Sequence, residues 1–185
     1  PAIGTLSRVA LGRAAIRWSP LGFGRTSSTS TSQATPRNLC GFKDGTANIK
    51  AEETRDVDRW VWADDREPAW LRGGSYLVAR KIRMIIETWD RSQLGEQERV
   101  IGRDKGEGAP LSGGTEFSEP DFAKRRAGAP AIDREAHVRL AHPHHLDRIR
   151  LLRRGYNFVA RNDELRRLDA GPFFLSFHSA PAPFV

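Results

Sequence analysis

Three short stretches of this sequence hold side chains able to do chemistry. The first is Gly41-Phe-Lys-Asp-Gly-Thr-Ala-Asn48, in which the carboxylate of Asp44 stands beside a lysine and a flexible glycine. A carboxylate so placed can pass a proton, although Asp-Gly is ordinarily only a turn. The second runs from His137 to His145 and gathers four of the five histidines, His137, His142, His144 and His145. Neutral imidazole is the commonest metal ligand. A solvated loop is the plainer reading of His142-Pro-His-His145 as a group, whereas His137 is followed by Val138, Leu140 and Ala141 and so has apolar company. The third is Leu152-Arg-Arg-Gly-Tyr156. In a strand, adjacent arginines point to opposite faces, so one of Arg153 and Arg154 is directed inward and needs an anion, either a carboxylate or a ligand group.

Other chemistries lack their residues. Gly106-Glu-Gly108-Ala-Pro-Leu111 is short of the third glycine of a dinucleotide fingerprint, and Gly102-Arg-Asp-Lys105 is not a P-loop. No Gly-x-Ser-x-Gly elbow is present, and His137 and His142 are spaced i,i+5 rather than the i,i+4 that puts two zinc ligands on one helical face. The single cysteine, Cys40, excludes an intrachain disulfide and a thiolate zinc site. A metal must therefore be held by histidine or carboxylate, or arrive inside a cofactor.

The elements that must position these groups occupy 185 residues, enough for one domain with its own core or two small ones. Thirty Lys+Arg against 23 Asp+Glu leave a net charge of +7, which suits an anionic partner: nucleic acid, a phosphorylated ligand, a membrane surface or a carboxylate-bearing cofactor. The arginines are scattered rather than massed on one helix, which speaks against nucleic acid. No apolar run approaches the ~18 residues of a membrane span, and no export leader is visible from Pro1 onward.

Apolar spacing predicts a short helix over residues 6–18, and residues 22–32 are polar and repetitive, reading as a loop or linker that ends near Pro36. Residues 60–63 (Trp-Val-Trp-Ala) read as a strand, as do residues 75–84, with Ile82, Met84 and Ile86 alternating with Lys81, Arg83 and Ile85. Residues 86–101 suit an amphipathic helix, or two short ones, stopped by Gly102. Residues 102–131 are rich in glycine and proline and form either an ordered loop or a mobile excursion. Two more strands follow at 151–160 and 172–178, the latter with Phe173, Leu175 and Phe177 alternating with Phe174, Ser176 and His178. The class is α+β with an antiparallel sheet.

Taken in order, Gly41-Phe-Lys-Asp-Gly-Thr46, the run from Trp70 to Arg83 with its Gly-Gly-Ser-Tyr-Leu-Val, Gln97-Glu-Arg-Val-Ile-Gly-Arg103, His137-Val-Arg-Leu-Ala-His-Pro143 and Arg153-Arg-Gly-Tyr156 closely resemble the dye-decolorising peroxidase family. Within it they resemble the branch of bacterial iron-uptake peroxidases called deferrochelatases, and the match runs from about Leu6 to Phe174. The resemblance implies a ferredoxin-like α+β fold of the dimeric α+β barrel type and a haem b cofactor, one per complete subunit. It further implies a peroxidase that reduces hydrogen peroxide while oxidising dyes or other bulky organic donors, with iron release from haem as a further activity. Carried over by position, Asp44 is the distal acid/base, Arg153 the distal arginine and His137 the axial iron ligand. Gly45, Thr46, Ala47, His142, Pro143 and His144 line the haem beside Arg153, and Arg103 meets a propionate. The compartment implied is periplasmic or extracellular, the cytoplasm being the alternative.

Members of the family have two ferredoxin-like halves, and this chain reads as the second. Residues 1–40 form the N-terminal helix and polar loop that would lead from a first half; residues 41–185 form the haem-binding domain without its last helix and tail, which in the family bring a carboxylate near the axial histidine. A partly open pocket would follow, with an apolar face drawn from Trp60, Trp62, Phe173, Phe174 and Phe177 that favours a homo-oligomer or a complementary chain. The reading from another class is a non-catalytic module of the same fold that binds haem or anions without turnover.

Overall fold

The computed structural model describes residues 2–24 and 28–181. In chain order its elements are α1 (Ala2–Val9), β1 (Gly22–Phe23), α2 (Thr54–Trp60), β2 (Tyr76–Lys81), α3 (Ile86–Trp89), α4 (Leu94–Ile101), β3 (Arg125–Arg126), β4 (Ala129–Pro130), α5 (His137–Leu140), β5 (Leu152–Arg153), β6 (Tyr156–Asn162) and β7 (Leu168–His178), with a single 3₁₀ turn at Pro143–His145. The alternating run at the end of the sequence becomes β7, an 11-residue strand at the centre of an antiparallel sheet ordered β1-β6-β7-β2. One edge of β7 takes β2, with Tyr76 opposite His178 and Lys81 opposite Phe173. The other edge takes β5 and β6 in line, Arg153 opposite Ser176 and Tyr156 opposite Phe173. Arg154 and Gly155 interrupt this second lane, but Arg154 N–H still donates to Leu175 O at 2.9 Å. Residues opposite one another share a face, so the pairing sets Arg153 on the same side of the sheet as Phe174, Ser176, His178 and Val78.

The core is small and lies beside this sheet: Phe42, Ile49, Val61, Ile132, Ala136, Phe158 and Ala170 are buried. The α+β class, the antiparallel sheet and the ferredoxin-like architecture are as the sequence leads one to expect. The helical periodicity over residues 86–101 resolves into α3 and α4, and Gly102 ends α4 in the left-handed conformation, φ 87°. Among the described residues no helix is long and apolar enough to cross a membrane.

Four expectations need correction. Residues 60–63 are not a strand: Trp60 is the last residue of α2, and Ala63 is then held by the turn at Gly73 and Gly74 through two backbone hydrogen bonds of 3.0 and 2.9 Å. The helix expected over residues 6–18 covers Ala2–Val9, with turns to residue 13 and no helix beyond. Residues 28–32 form the loop that the sequence predicts, but one anchored at Ser28 rather than a free linker. Ser28 is buried, its carbonyl accepting from Asn48 Nδ2 (2.8 Å) and Lys50 Nζ (3.0 Å), while residues 25–27 lie outside the described residues. Of the five aromatics expected to be open, only Trp62 is exposed. Phe173 is half-buried against the Trp18 ring, 6.0 Å away, and Phe174 lies under the Arg153 guanidinium. Exposed large apolar side chains are instead spread along the chain, with a run of them in residues 3–23 that includes Leu11, Trp18 and Leu21, and others such as Trp70 and Leu165.

Candidate functional site

The Asp44 segment is a knot of turns anchored on both sides. Phe42 is buried edge-on to Trp89, with ring centroids 6.0 Å apart, which fixes the chain just ahead of the aspartate. Asp44 N–H donates to Pro36 O (2.8 Å), and Asn48 N–H closes the following turn on Gly45 O (3.0 Å). Gly45 has φ 97°, a conformation that glycine enters at little steric cost and that other residues avoid. The long glycine-rich loop is ordered against this knot through Glu116, whose carboxylate accepts from Lys43 Nζ (2.6 Å) and Thr46 Oγ1 (3.2 Å). Burial alone would raise the Glu116 carboxyl, but the hydrogen bond and charge of Lys43 together with hydrogen bonds from Thr35 and Thr46 hold the group below the usual carboxylate range. Arg103 ties the same loop together, donating to Gly108 O (2.7 Å) and Glu116 O (2.8 Å).

Arg153 reaches Asp44 from β5. Its Nη2 is 2.9 Å from Asp44 Oδ1, with both side chains about a quarter exposed, and its Cζ stands 5.3 Å above the Phe174 ring. The guanidinium is thus fixed by a carboxylate and an aromatic face, while its Nε is buried without an acceptor among the described residues. A buried, unsatisfied donor on a cation is costly and is what a site for an anionic or oxygen-bearing ligand presents. The backbone of Arg153 is held as well: Asn48 Oδ1 accepts from its N–H (2.6 Å) and Asn48 Nδ2 donates to its carbonyl (3.1 Å).

His137 is the first residue of α5, whose start is pressed against the end of α4. At Gly102 an added Cβ would stand 2.4 Å from Val138 Cγ1 and 3.1 Å from Ala136 Cβ, so the absence of a side chain there lets the two helices meet. The His137 side chain is open to solvent, yet enough protein surrounds the ring for burial to lower its pKa. Arg153 lowers the pKa further and Asp44 opposes it, which sets His137 within electrostatic reach of the pair and favours its neutral form. Among the described residues the ring finds no hydrogen-bond partner.

The remaining candidates divide. Gly45 and Thr46 belong to the Asp44 knot, and Ala47 is exposed at its rim. Arg103 commits one guanidinium nitrogen to two loop carbonyls and acts as a tie within the loop. His142 Nδ1 accepts from His144 N–H (3.2 Å) and its Nε2 stands 3.2 Å from Glu119, while its ring packs on Phe122. Pro143 opens the 3₁₀ turn, and His144 meets the His145 ring edge-on at the surface. Among the described residues no group of three or more His, Cys, Asp or Glu side chains could hold a metal ion. A hollow of about 740 Å³ at the β6–β7 hairpin is lined by other residues, and its Arg83 and Arg167 are already paired with Asp163. Two residues with clear roles here, Asn48 and Glu116, were not singled out from the sequence. Asn48 stands inside the Asp44 motif, whereas nothing local marks Glu116.

Comparison with known proteins identifies the family. Residues 35–185 match the family model described as Dyp-type peroxidase, C-terminal. A deferrochelatase of Yersinia pseudotuberculosis is 43% identical over 169 residues, covering 89% of this chain and 39% of the relative. One from Escherichia coli K12 is 40% identical over 167 residues with similar coverage, so the chain spans about two-fifths of the length of these curated relatives. Among solved structures, the oxyferrous complex of DtpA from Streptomyces lividans superposes with a TM-score of 0.88 at 37% identity, covering 98% of this chain and 50% of that one. The DyP-type peroxidase of Cellulomonas bogoriensis gives 0.86 at 38% identity with the same coverage. With its sheet, its Asp44–Arg153 pair and 151 contiguous residues under the family model, the chain belongs to the DyP-type peroxidase family.

Proposed function

We propose that this chain carries the haem-binding and peroxide-handling half of a peroxidase that reduces hydrogen peroxide and oxidises bulky organic donors such as dyes. The observation that carries the reading is the Asp44–Arg153 pair at 2.9 Å, with a spare buried donor on Arg153 and a histidine, His137, in electrostatic contact with both. The residues fit haem b: His137 would hold its iron through neutral imidazole, and the unsatisfied Arg153 Nε leaves a donor for an oxygen ligand. When bound, haem supplies the electron exchange between peroxide and donor.

The work of the protein's own groups follows from their chemistry. Asp44, about a quarter exposed and beside a cation, stands where a carboxylate can take a proton from the inner oxygen of peroxide and return it to the outer one. Arg153 supplies fixed positive charge where negative charge grows as the O–O bond breaks, the kind of preorganised stabilisation worth on the order of a hundredfold or more in rate. Phe174 and Asn48 keep the guanidinium from collapsing elsewhere. The deferrochelatase names of the relatives extend the proposal to iron release from haem. Reconstituting the chain with haemin and following peroxide-dependent dye oxidation tests the reading, with turnover above that of free haemin expected. Stoichiometric haem binding without such turnover would assign the chain to a binding module instead.

A further inference from the structure

Asn48 lies four residues beyond Asp44, is 4% exposed, and spends its whole carboxamide on backbone. Oδ1 accepts the Arg153 N–H at 2.6 Å; Nδ2 donates to the carbonyls of Arg153 (3.1 Å) and Ser28 (2.8 Å). The neighbouring Ile49 N–H donates to Leu151 O at 3.3 Å, so residues 48–49 run along β5 opposite the edge that pairs with β7. β5 has only two residues before its lane breaks at Arg154 and Gly155, and a strand so short is weakly held by its own ladder. The carboxamide replaces the missing partner strand, satisfying both backbone polar groups of one residue. Because Asn48 N–H also closes the turn on Gly45, the same residue is tied rigidly to the Asp44 loop.

We propose that Asn48 is the positioning residue that sets the separation of Asp44 and Arg153, acting through the Arg153 backbone. Two hydrogen bonds to one residue fix both the place and the orientation of the peptide from which the guanidinium springs. A displacement of about 1 Å at a reacting group can cost on the order of a hundredfold in rate. Asn48 is chosen over Lys50, which pins Ser28 through its carbonyl and hydroxyl but makes no contact with Arg153. The inference rests on the reading of Asp44 and Arg153 given above.

The test is a double-mutant cycle on the haem-reconstituted full chain, with amide hydrogen exchange on the same chain before haem is added. Asn48→Ala is expected to slow the reaction with peroxide about a hundredfold with haem affinity unchanged, and Lys50→Met to leave that rate near the parent's. In an Arg153→Leu background Asn48→Ala should add almost nothing, because residues that act as one unit are not additive. Independently, Asn48→Ala should speed exchange of the Arg153 amide at least tenfold while the Phe158 amide in β6 stays protected; Asn48→Asp, which retains one acceptor but opposes an oxygen to two carbonyls, replaces it should the alanine variant not fold. Additive slowing in the double variant, or an Arg153 amide as protected as in the parent, overturns the proposal. An Arg153→Leu variant that reacts at the parent rate instead overturns the reading of the pair, whatever Asn48 does.

Discussion

The two sides of the candidate site are built to different standards. Around Asp44 and Arg153 the groups are cross-braced: a side-chain ion pair, an aromatic face, a two-point clamp from Asn48 and a carboxylate strut from Glu116 all converge on them. Around His137 there is a four-residue helix seated against Gly102 by van der Waals contact, and among the described residues no hydrogen bond reaches the ring. In the proposed reaction the braced side would be where fixed charge meets developing charge, and there small displacements would be costly. An imidazole that held iron would have a looser demand, since the bond to the metal would orient the ring once its position was set. Burial and Arg153 both lower the pKa of His137 and so favour its neutral form.

The largest effect separating the two sides should come from His137→Ala, which is expected to weaken haem binding by on the order of a hundredfold or more, since loss of a mere supporting partner already costs 10–100-fold in many metal sites. Equilibrium haem titration checks it, with His142→Ala near the parent as the internal control. Arg153→Leu should do the converse: haem stays bound while stopped-flow reaction with peroxide slows on the order of a hundredfold. Equal losses of haem in both variants would erase the contrast.

Gly102→Ala strikes the seating of α5 without touching a chemical group. Its new methyl meets Val138 and Ala136 at a φ of 87°, so urea unfolding should show a loss of about 2–4 kcal/mol. Haem affinity should fall before the Asp44–Arg153 contact is disturbed.

The smallest effect is on pH dependence. His178 is buried in β7 beside Ser176, 2.8 Å from Nε2 to Oγ, and burial lowers its pKa below the ordinary 6.5. The folded state then binds its proton less readily than the unfolded state. Its stabilising contribution is complete above about pH 6.5 and is lost as the pH falls through the lowered value. Burial shifts His137 and His142 the same way, so His178→Gln should flatten the fall in urea midpoint between about pH 7 and pH 5 without abolishing it.

Much of the scaffold was legible because its signals are local. The alternation in β7 and the helical spacing ended by Gly102 need no distant partner to be read. Trp60-Val-Trp-Ala63 misleads because its residues favour strands, yet they close a helix begun at Thr54, and Trp60 O receives Ser179 N–H from beyond β7 at 2.8 Å. Residues 28–32 have the composition of a linker; what orders them is the buried Lys50 and Asn48, some twenty residues away. Within the site, residue types alone make Asp44 ordinarily a turn, give His137 apolar company and leave one of Arg153 and Arg154 in need of a carboxylate or a ligand group. The carboxylate that Arg153 meets is Asp44, so that need and the proposed catalytic pairing describe the same contact. Glu116 was illegible for the opposite reason: it lies 70 residues from Thr46, in a loop without periodicity.

In the proposed site His137 holds the iron, beside Asp44 and Arg153, and resonance Raman spectroscopy of the ferrous, haem-reconstituted chain reads that bond through the iron–imidazole stretch. The expected band shifts on ¹⁵N-histidine labelling, disappears in His137→Ala and persists in His142→Ala. A band that survives His137→Ala and vanishes with His142→Ala would move the iron to His142 and overturn the assignment.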